Sequence, residues 1–272
     1  MKPQHINATR ADLEGNKGLG RYILMTGSDQ RAQQISEQFA NVAIKKHPRQ
    51  HNLYLGTITT QYGFIEVGSI SSGMGGASAD IIINELIMLG ISRILRVGTA
   101  GSLQPARIKT GNLVIATSAV RDDKSSWDYI YPEYPAVSSL EYLIAALRAT
   151  KQLHLTDNTH MGLIHSKSSL YARELGLSFS SAGKQYINVL KKAGVLATEM
   201  ECAQLFTLSS LMSGREKNKK ILAGAILAII GDEIPFSADL NIIDHTIKSI
   251  ILVSLENTRQ LSYIDNGQVR LY

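Results

Sequence analysis

The chain has 272 residues, 44% of them hydrophobic, enough for one large core or two small ones. Its 28 Lys and Arg against 23 Asp and Glu leave a net charge of +5, spread along the sequence. That mild excess suits anionic small substrates and gives no argument for nucleic acid. A single cysteine, Cys202, excludes an intrachain disulfide and fits a reducing compartment. The segment Met1 to Asn16 is polar and lacks the apolar core of a secretory signal. The longest apolar run, Ile221 to Ile230, falls far short of the roughly 20 residues that span a bilayer. A cytoplasmic protein is expected, with neither a membrane nor a nucleic acid as partner. No Pro/Gly/Ser-rich stretch or long charge run divides the chain. Residues 1–272 are therefore expected to form one domain, with 263–272 as a C-terminal tail.

Taken in order, several short apolar runs end in glycine and lead into helical patterns. Tyr22–Met25 reads as a strand and is followed by Thr26-Gly27 and a helix over Gln30–Phe39. Phe64–Ile70 is a strand, Ser71 to Gly76 a turn that lets a helix pack close, and Ser78–Leu89 an amphipathic helix. Ile94–Val97 runs into Gly98-Thr99-Ala100-Gly101, and Leu113–Thr117 is a further strand. Glu199-Met200-Glu201 reads as a helix start. Ile221–Ile230 reads as a buried central strand, ending at Gly231-Asp232 and followed by a long helix over Ile242–Leu261. Asn266-Gly267 suggests a tight turn. Strands alternating with helices imply an α/β fold around a buried mixed sheet. In such sheets ligands sit beyond the carboxyl ends of the strands, where these glycines lie.

Three constellations carry chemistry. In Thr26 to Arg31, glycine after a strand lets backbone N–H groups approach an anion, and Arg31 can add a charged fork. A simple strand-to-helix connection is the alternative. In Arg96 to Gly101, a guanidinium interrupts an apolar strand and needs an anionic partner. That partner is either a carboxylate of the chain or a bound phosphate, aided by Thr99. In Glu199-Met200-Glu201, carboxylates at a helix start either complement its dipole or accept hydrogen bonds from a ribose diol.

Taken together, these segments resemble the nucleoside phosphorylase family, and within it the uridine branch. Arg96 through Gln104-Pro105 to Gly111 resembles the family's phosphate-and-base segment. Ser118-Ala119-Val120-Arg121 and Tyr131 to Val137 resemble the uridine branch, and Glu199-Met200-Glu201 the ribose motif. The resemblance covers about His5 to Pro235. It implies a central mixed sheet, closed into a distorted barrel and flanked by helices. It also implies homodimers assembled into a homohexamer, acting on a nucleoside and inorganic phosphate with no metal or organic cofactor. Gly27, Arg31, Arg96 and Thr99 would hold phosphate, joined by Arg49 reaching into the neighbouring subunit's site. His5 would cross the same interface to the ribose 5′-hydroxyl. Met200 would floor the ribose, with Glu199 beside it, and Glu201 would bind the diol. Ala100, Gly101, Leu170 and Glu174 would border the base. Arg96, Glu201 and Asp232 are the candidate catalytic residues.

The sequence departs from the uridine pattern in two places. Between Ser169 and Gly176, Glu174 and Gly176 stand where that branch has Gln and Arg, and Leu170 replaces an aromatic residue. A carboxylate repels a uracil carbonyl but accepts from a ring N–H. Arg173 is the nearest substitute for the missing arginine. After Ile229-Ile230-Gly231, one alignment puts Asp232 where purine phosphorylases carry an acid. Another makes it a turn residue accepting backbone hydrogen bonds. Uridine is the first expected substrate and a purine nucleoside the second; a nucleoside-binding protein with a decayed base site is the non-enzymatic alternative.

Overall fold

Residues 2–180, 182–215, 220–232 and 236–269 are described by a computed structural model. Its sheet has ten strands. In chain order they are β1 (Tyr22–Thr26), β2 (Ala40–Lys45), β3 (Leu53–Thr60), β4 (Gly63–Ser71), β5 (Arg93–Ser102), β6 (Leu113–Asp122), β7 (Ala136–Val137), β8 (Thr159–Lys167), β9 (Ala197–Glu199) and β10 (Leu222–Gly231). The α-helices are α1 (Arg10–Leu13), α2 (Asp29–Ser36), α3 (Gly76–Met88), α4 (Lys124–Trp127), α5 (Leu140–Gln152), α6 (Leu170–Arg173), α7 (Ala182–Lys192), α8 (Cys202–Arg215) and α9 (Leu240–Asp265).

Five strands close on themselves. β5 runs parallel to β10, β10 antiparallel to β6, β6 parallel to β8, β8 parallel to β9, and β9 antiparallel to β5. This is the expected mixed barrel. From β5 the sheet continues outward through β1, β4, β3 and β2.

The apolar run of β10 is buried because both its faces are covered. Ala223, Ala225, Leu227 and Ile229 join Ile82 and Leu86 of α3 and Leu205 and Phe206 of α8 in one core. Leu222, Ile226 and Ala228 join Tyr142 and Ala146 of α5 and Ile250 of α9 in another. Each such Leu or Ile contributes about 1.5–3 kcal/mol by leaving water. In α3, Ala79, Ile82, Ile83 and Leu86 follow helical spacing and form its buried face.

Three sequence expectations need correction. The strand begun at Ile94 does not stop at Val97. β5 runs on because Gly98 to Gly101 pair with β10 and Gly101-Ser102 with β9. Glu199 does not open a helix. It ends β9, opposite Ser166 of β8, and α8 begins only at Cys202. The tail does not begin at 263. Tyr263 is buried, α9 runs to Asp265, and the expected turn follows at Asn266-Gly267. Asp265 is held by Arg93 at 2.7 Å and by the Tyr22 hydroxyl at 2.9 Å, which ties the helix end to β1 and β5. Residues 270–272 and 233–235 lie outside the described residues. Among the described residues, no helix is long and apolar enough to cross a membrane, and no cluster of metal-ligating side chains occurs.

Candidate active site

At the carboxyl ends of β1, β5 and β9 lies a cavity of about 250 Å³. Arg96 is its centre. Residues alternate along β5, so Arg96 shares a face with Ile94 and Ala100, both in the barrel-side core. Its Nε donates to Glu199 Oε2 at 2.9 Å, and its Nη2 meets Glu201 Oε2. Nη1 is buried and has no hydrogen-bond partner. Burial works against the guanidinium's charge, but Glu201 and Glu199 more than offset it and hold the pKa above its ordinary value.

Arg31 sits beside Arg96 in the first turn of α2, whose N-cap is Ser28. Burial, and then the positive charge of Arg96, depress the Arg31 pKa to about 10. Among the described residues its guanidinium makes no ion pair. Two guanidiniums, the hydroxyl-bearing Thr99 and the amides at Gly27 and Ser28 thus border one end of the cavity. A helix N-terminus facing paired cations is suited to an anion with several oxygens.

Glu199 and Glu201 are two residues apart and differ sharply. Glu199 accepts from Arg96, from the Ser166 hydroxyl, and from the Glu201 and Cys202 amides at 2.9 and 3.0 Å. Despite its burial, these donors hold its pKa below the ordinary value. Its oxygens are committed to the protein: it positions Arg96 and caps α8. Glu201 takes the Gly75 amide at 2.5 Å as well as Arg96. Burial, together with the nearby Glu199 charge, raises its pKa. Gly75 has φ +87°, which favours glycine, so the Ser71–Gly76 turn also aims an amide at the site. Met200 and Met74 border the same region.

The remaining wall is formed by Ala100, Gly101, Leu170, Glu174, Phe236 and Lys167. Lys167 ends β8 and is 3% exposed; its Nζ lies 2.9 Å from Glu174 Oε1 and 3.1 Å from Thr198 Oγ1. Sequence reading missed Lys167 and Thr198. The local signal for Lys167 is weaker than for Arg96, since His165 and Ser166 separate it from the apolar pair Leu163-Ile164.

Eleven of the expected residues meet in this cavity: Gly27, Arg31, Arg96, Thr99, Ala100, Gly101, Leu170, Glu174, Glu199, Met200 and Glu201. Asp232 is not among the lining residues. Its Oδ2 accepts from the Thr110 amide at 3.0 Å, the geometry of the turn-residue alternative. Arg173 does not substitute for the missing arginine. It forks onto Asp122 at 2.7 and 2.8 Å and stacks on Tyr186. His5 and Arg49 also lie outside the lining. His5 Nδ1 is 2.9 Å from Glu85 Oε1, a carboxylate that also takes the Gln4, His5 and Ile6 amides. Arg49 is exposed.

A family model described as Phosphorylase superfamily matches residues 21–232. The chain belongs to the phosphorylase superfamily. It is 31% identical over 223 residues to a uridine phosphorylase of Thermococcus kodakarensis, covering 79% of this chain and 74% of that protein. Identity to a uridine phosphorylase of Haemophilus influenzae is 30% over 258 residues, covering 93% and 96%. A guanosine phosphorylase of Halorubrum lacusprofundi shares 27% over 209 residues, covering 77% of each. The fold matches a uridine phosphorylase structure from Vibrio fischeri with a TM-score of 0.74 at 23% identity, over 97% of this chain and 98% of that one.

In this superfamily member, Gly98 leaves the room that Arg96 occupies. A Cβ there would lie 2.9 Å from the Arg96 guanidinium carbon and 2.9 Å from Leu227 Cδ2. Gly98→Ala is expected to lower stability by about 1–3 kcal/mol through overpacking. It should also weaken phosphate binding roughly tenfold, a loss of about 1.4 kcal/mol. Thermal melts with and without phosphate measure both effects; unchanged phosphate binding would show that Arg96 does not depend on that space.

Proposed function

We propose that this protein is a nucleoside phosphorylase, built like the uridine phosphorylases, that converts a nucleoside and inorganic phosphate into free base and ribose 1-phosphate. The observation that carries the reading is the contact between Arg96 and Glu201, two side chains with complementary tasks on one cavity. The guanidinium, with Arg31, Thr99 and the α2 amides, would hold phosphate. The carboxylate would accept hydrogen bonds from the 2′- and 3′-hydroxyls of ribose above Met200.

In the step itself, an oxygen of hydrogen phosphate bonds to C1′ while the C1′–N bond breaks. The bonding pair leaves with the base, and the proton lost by hydrogen phosphate ends on it, so atoms and charge balance. The ribosyl group passes through a cation-like transition state. Arg31 and Arg96 place the nucleophile and Glu201 fixes the sugar; one well-aimed donor of this kind supplies around 3 kcal/mol. Glu199 supports both by holding Arg96. Inorganic phosphate is the co-substrate, and no metal or organic cofactor enters.

The proposal extends to assembly and setting. His5 and Arg49, which lie outside their own subunit's cavity, would act across an interface, in dimers that build a homohexamer. A single phosphorylase domain working in the cytoplasm in nucleoside catabolism, including pyrimidine salvage, completes the reading. A purine nucleoside is the second substrate reading, favoured by Glu174 and Lys167 at the base end.

Base release from uridine, thymidine, inosine, adenosine and guanosine, with and without phosphate, tests the activity. Release from at least one nucleoside that requires phosphate is the expected result. Release at the same rate without phosphate would make the protein a hydrolase, and binding without turnover would make it a nucleoside-binding protein.

A further inference from the structure

The base end of the cavity contains an ion pair in a place where a nucleobase edge would lie. Lys167 Nζ and Glu174 Oε1 are 2.9 Å apart, with side chains 3% and 13% exposed. The contact is a charge pair rather than an aligned hydrogen bond, since Glu174 Oε1 is buried without a hydrogen-bond partner. The ammonium has three donors, of which one is committed to Thr198 Oγ1 at 3.1 Å. The carboxylate therefore retains acceptor capacity and the lysine retains donor capacity. Both residues line the cavity.

The pair is held from behind. Thr198 Oγ1 also lies 2.9 Å from His165 Nδ1, and His165 Nε2 lies 3.2 Å from Asp122 Oδ2. With Lys167 donating to Thr198, the hydroxyl donates to His165 Nδ1, and the Nε2 hydrogen points to Asp122. Arg173 neutralises Asp122. Every member of this chain has a partner on its protein side, so the position of Lys167 is set before any ligand arrives. Gly101 borders Glu174: a Cβ there would stand in ordinary contact, 3.8 Å from Glu174 Oε1.

We propose that Lys167 and Glu174 together read the base, and that they select a 6-oxopurine bearing a 2-amino group, guanine chemistry, over uracil. This inference rests on the phosphorylase reading above. A cation beside a carboxylate offers one donor followed by two acceptors. The guanine edge is the complement: O6 accepts, and N1–H and the 2-amino group donate. Hypoxanthine keeps O6 and N1–H but lacks the amine. Uracil offers O4 and N3–H, then sets its O2 against the carboxylate, two acceptors facing each other. Adenine presents an amine to the lysine, and cytosine does the same. Lys167 has a second task in the same contact. As the C1′–N bond breaks, the pair of electrons left on the base spreads onto O6, where the ammonium stabilises it.

Rates with saturating phosphate on guanosine, inosine and uridine test the wild type. The expected order is guanosine, inosine, uridine, with at least tenfold in kcat/KM between first and last. Glu174→Gln tests the residue. An amide supplies one acceptor and one donor, matching N3–H and O2 of uracil, so the guanosine-to-uridine ratio should fall tenfold or more. A side chain serving only to support Lys167 would lower both rates together and leave that ratio in place. Phosphate-dependent cleavage with uridine preferred, or a ratio unchanged by Glu174→Gln, overturns this inference and leaves the phosphorylase reading standing. Cleavage that ignores phosphate, or no cleavage of any nucleoside, overturns the phosphorylase reading and this inference with it.

Discussion

Arg96→Ala is expected to reduce kcat/KM at least a hundredfold and to lower the melting temperature by roughly 10 °C. The catalytic loss follows from removing a buried charge-assisted contact to phosphate, about 3 kcal/mol of transition-state binding. The stability loss follows from what remains. Glu199 and Glu201 are 1% and 5% exposed and would face each other without their shared cation. Breaking a buried pair in this way costs about 3–5 kcal/mol, and a domain of this size loses roughly 2–4 °C per kcal/mol. Initial rates and thermal melts across phosphate concentrations check both parts. Phosphate at a hundred times its dissociation constant should stabilise the wild type by about 2.7 kcal/mol and the variant hardly at all. Arg31→Ala separates the two effects. Among the described residues Arg31 has no carboxylate partner, so its loss should raise the phosphate KM with little change in melting temperature. Wild-type phosphate dependence in both variants would reject the anion-site assignment.

Glu201→Gln is expected to leave stability nearly unchanged while lowering catalysis as Arg96→Ala does. Arg96 and its two carboxylates sum to one net negative charge in a buried site, and burial raises the Glu201 pKa. Exchanging that carboxylate for an amide relieves its repulsion with Glu199 and its burial cost but sets an amide donor against either Gly75 or Arg96. The two changes offset, leaving stability within about 1 kcal/mol of the wild type. Catalysis has no such compensation. A carboxylate can accept from both ribose hydroxyls while an amide oxygen serves one, so kcat/KM for ribonucleosides should fall by about a hundredfold. For 2′-deoxynucleosides, which lack one hydroxyl, the fall should be smaller. Equal losses on ribo- and deoxyribonucleosides would show that Glu201 acts through Arg96 and not on the diol.

Much of the site was legible in the sequence because its residues carry local signals. Gly27 and Arg31 follow a strand and lie at a helix start, so the spacing of one turn already puts amides and a guanidinium at one end of the cavity. Arg96 stands out as a charge in the apolar run Ile94–Val97. Glu201 stands out beside Met200 ahead of an apolar helix. Other residues were misread or missed because their surroundings are assembled from distant segments. The pattern at Glu199 suits a helix start, yet pairing with Ser166 of β8 extends the strand through it, and its carboxylate caps α8 from outside. Asp232 could be aligned in two ways, and its bond to the Thr110 amide, 122 positions away, is a contact that no local pattern announces. Arg173 lies three residues from the place of the missing arginine, at Gly176, but is drawn away by Asp122, 51 positions earlier.

The alternation of apolar runs, glycine turns and amphipathic helices determined the α/β class, the buried strand β10 and most of the residues that line the cavity, because periodicity and turn chemistry act over a few neighbouring residues. The tertiary structure alone decided the closure of the barrel, the division of labour between Glu199 and Glu201, and the meeting of Lys167 with Glu174. A buried charge takes its pKa and its role from whichever group lies within a few ångströms, and strand pairing across the barrel chooses that group from far along the chain.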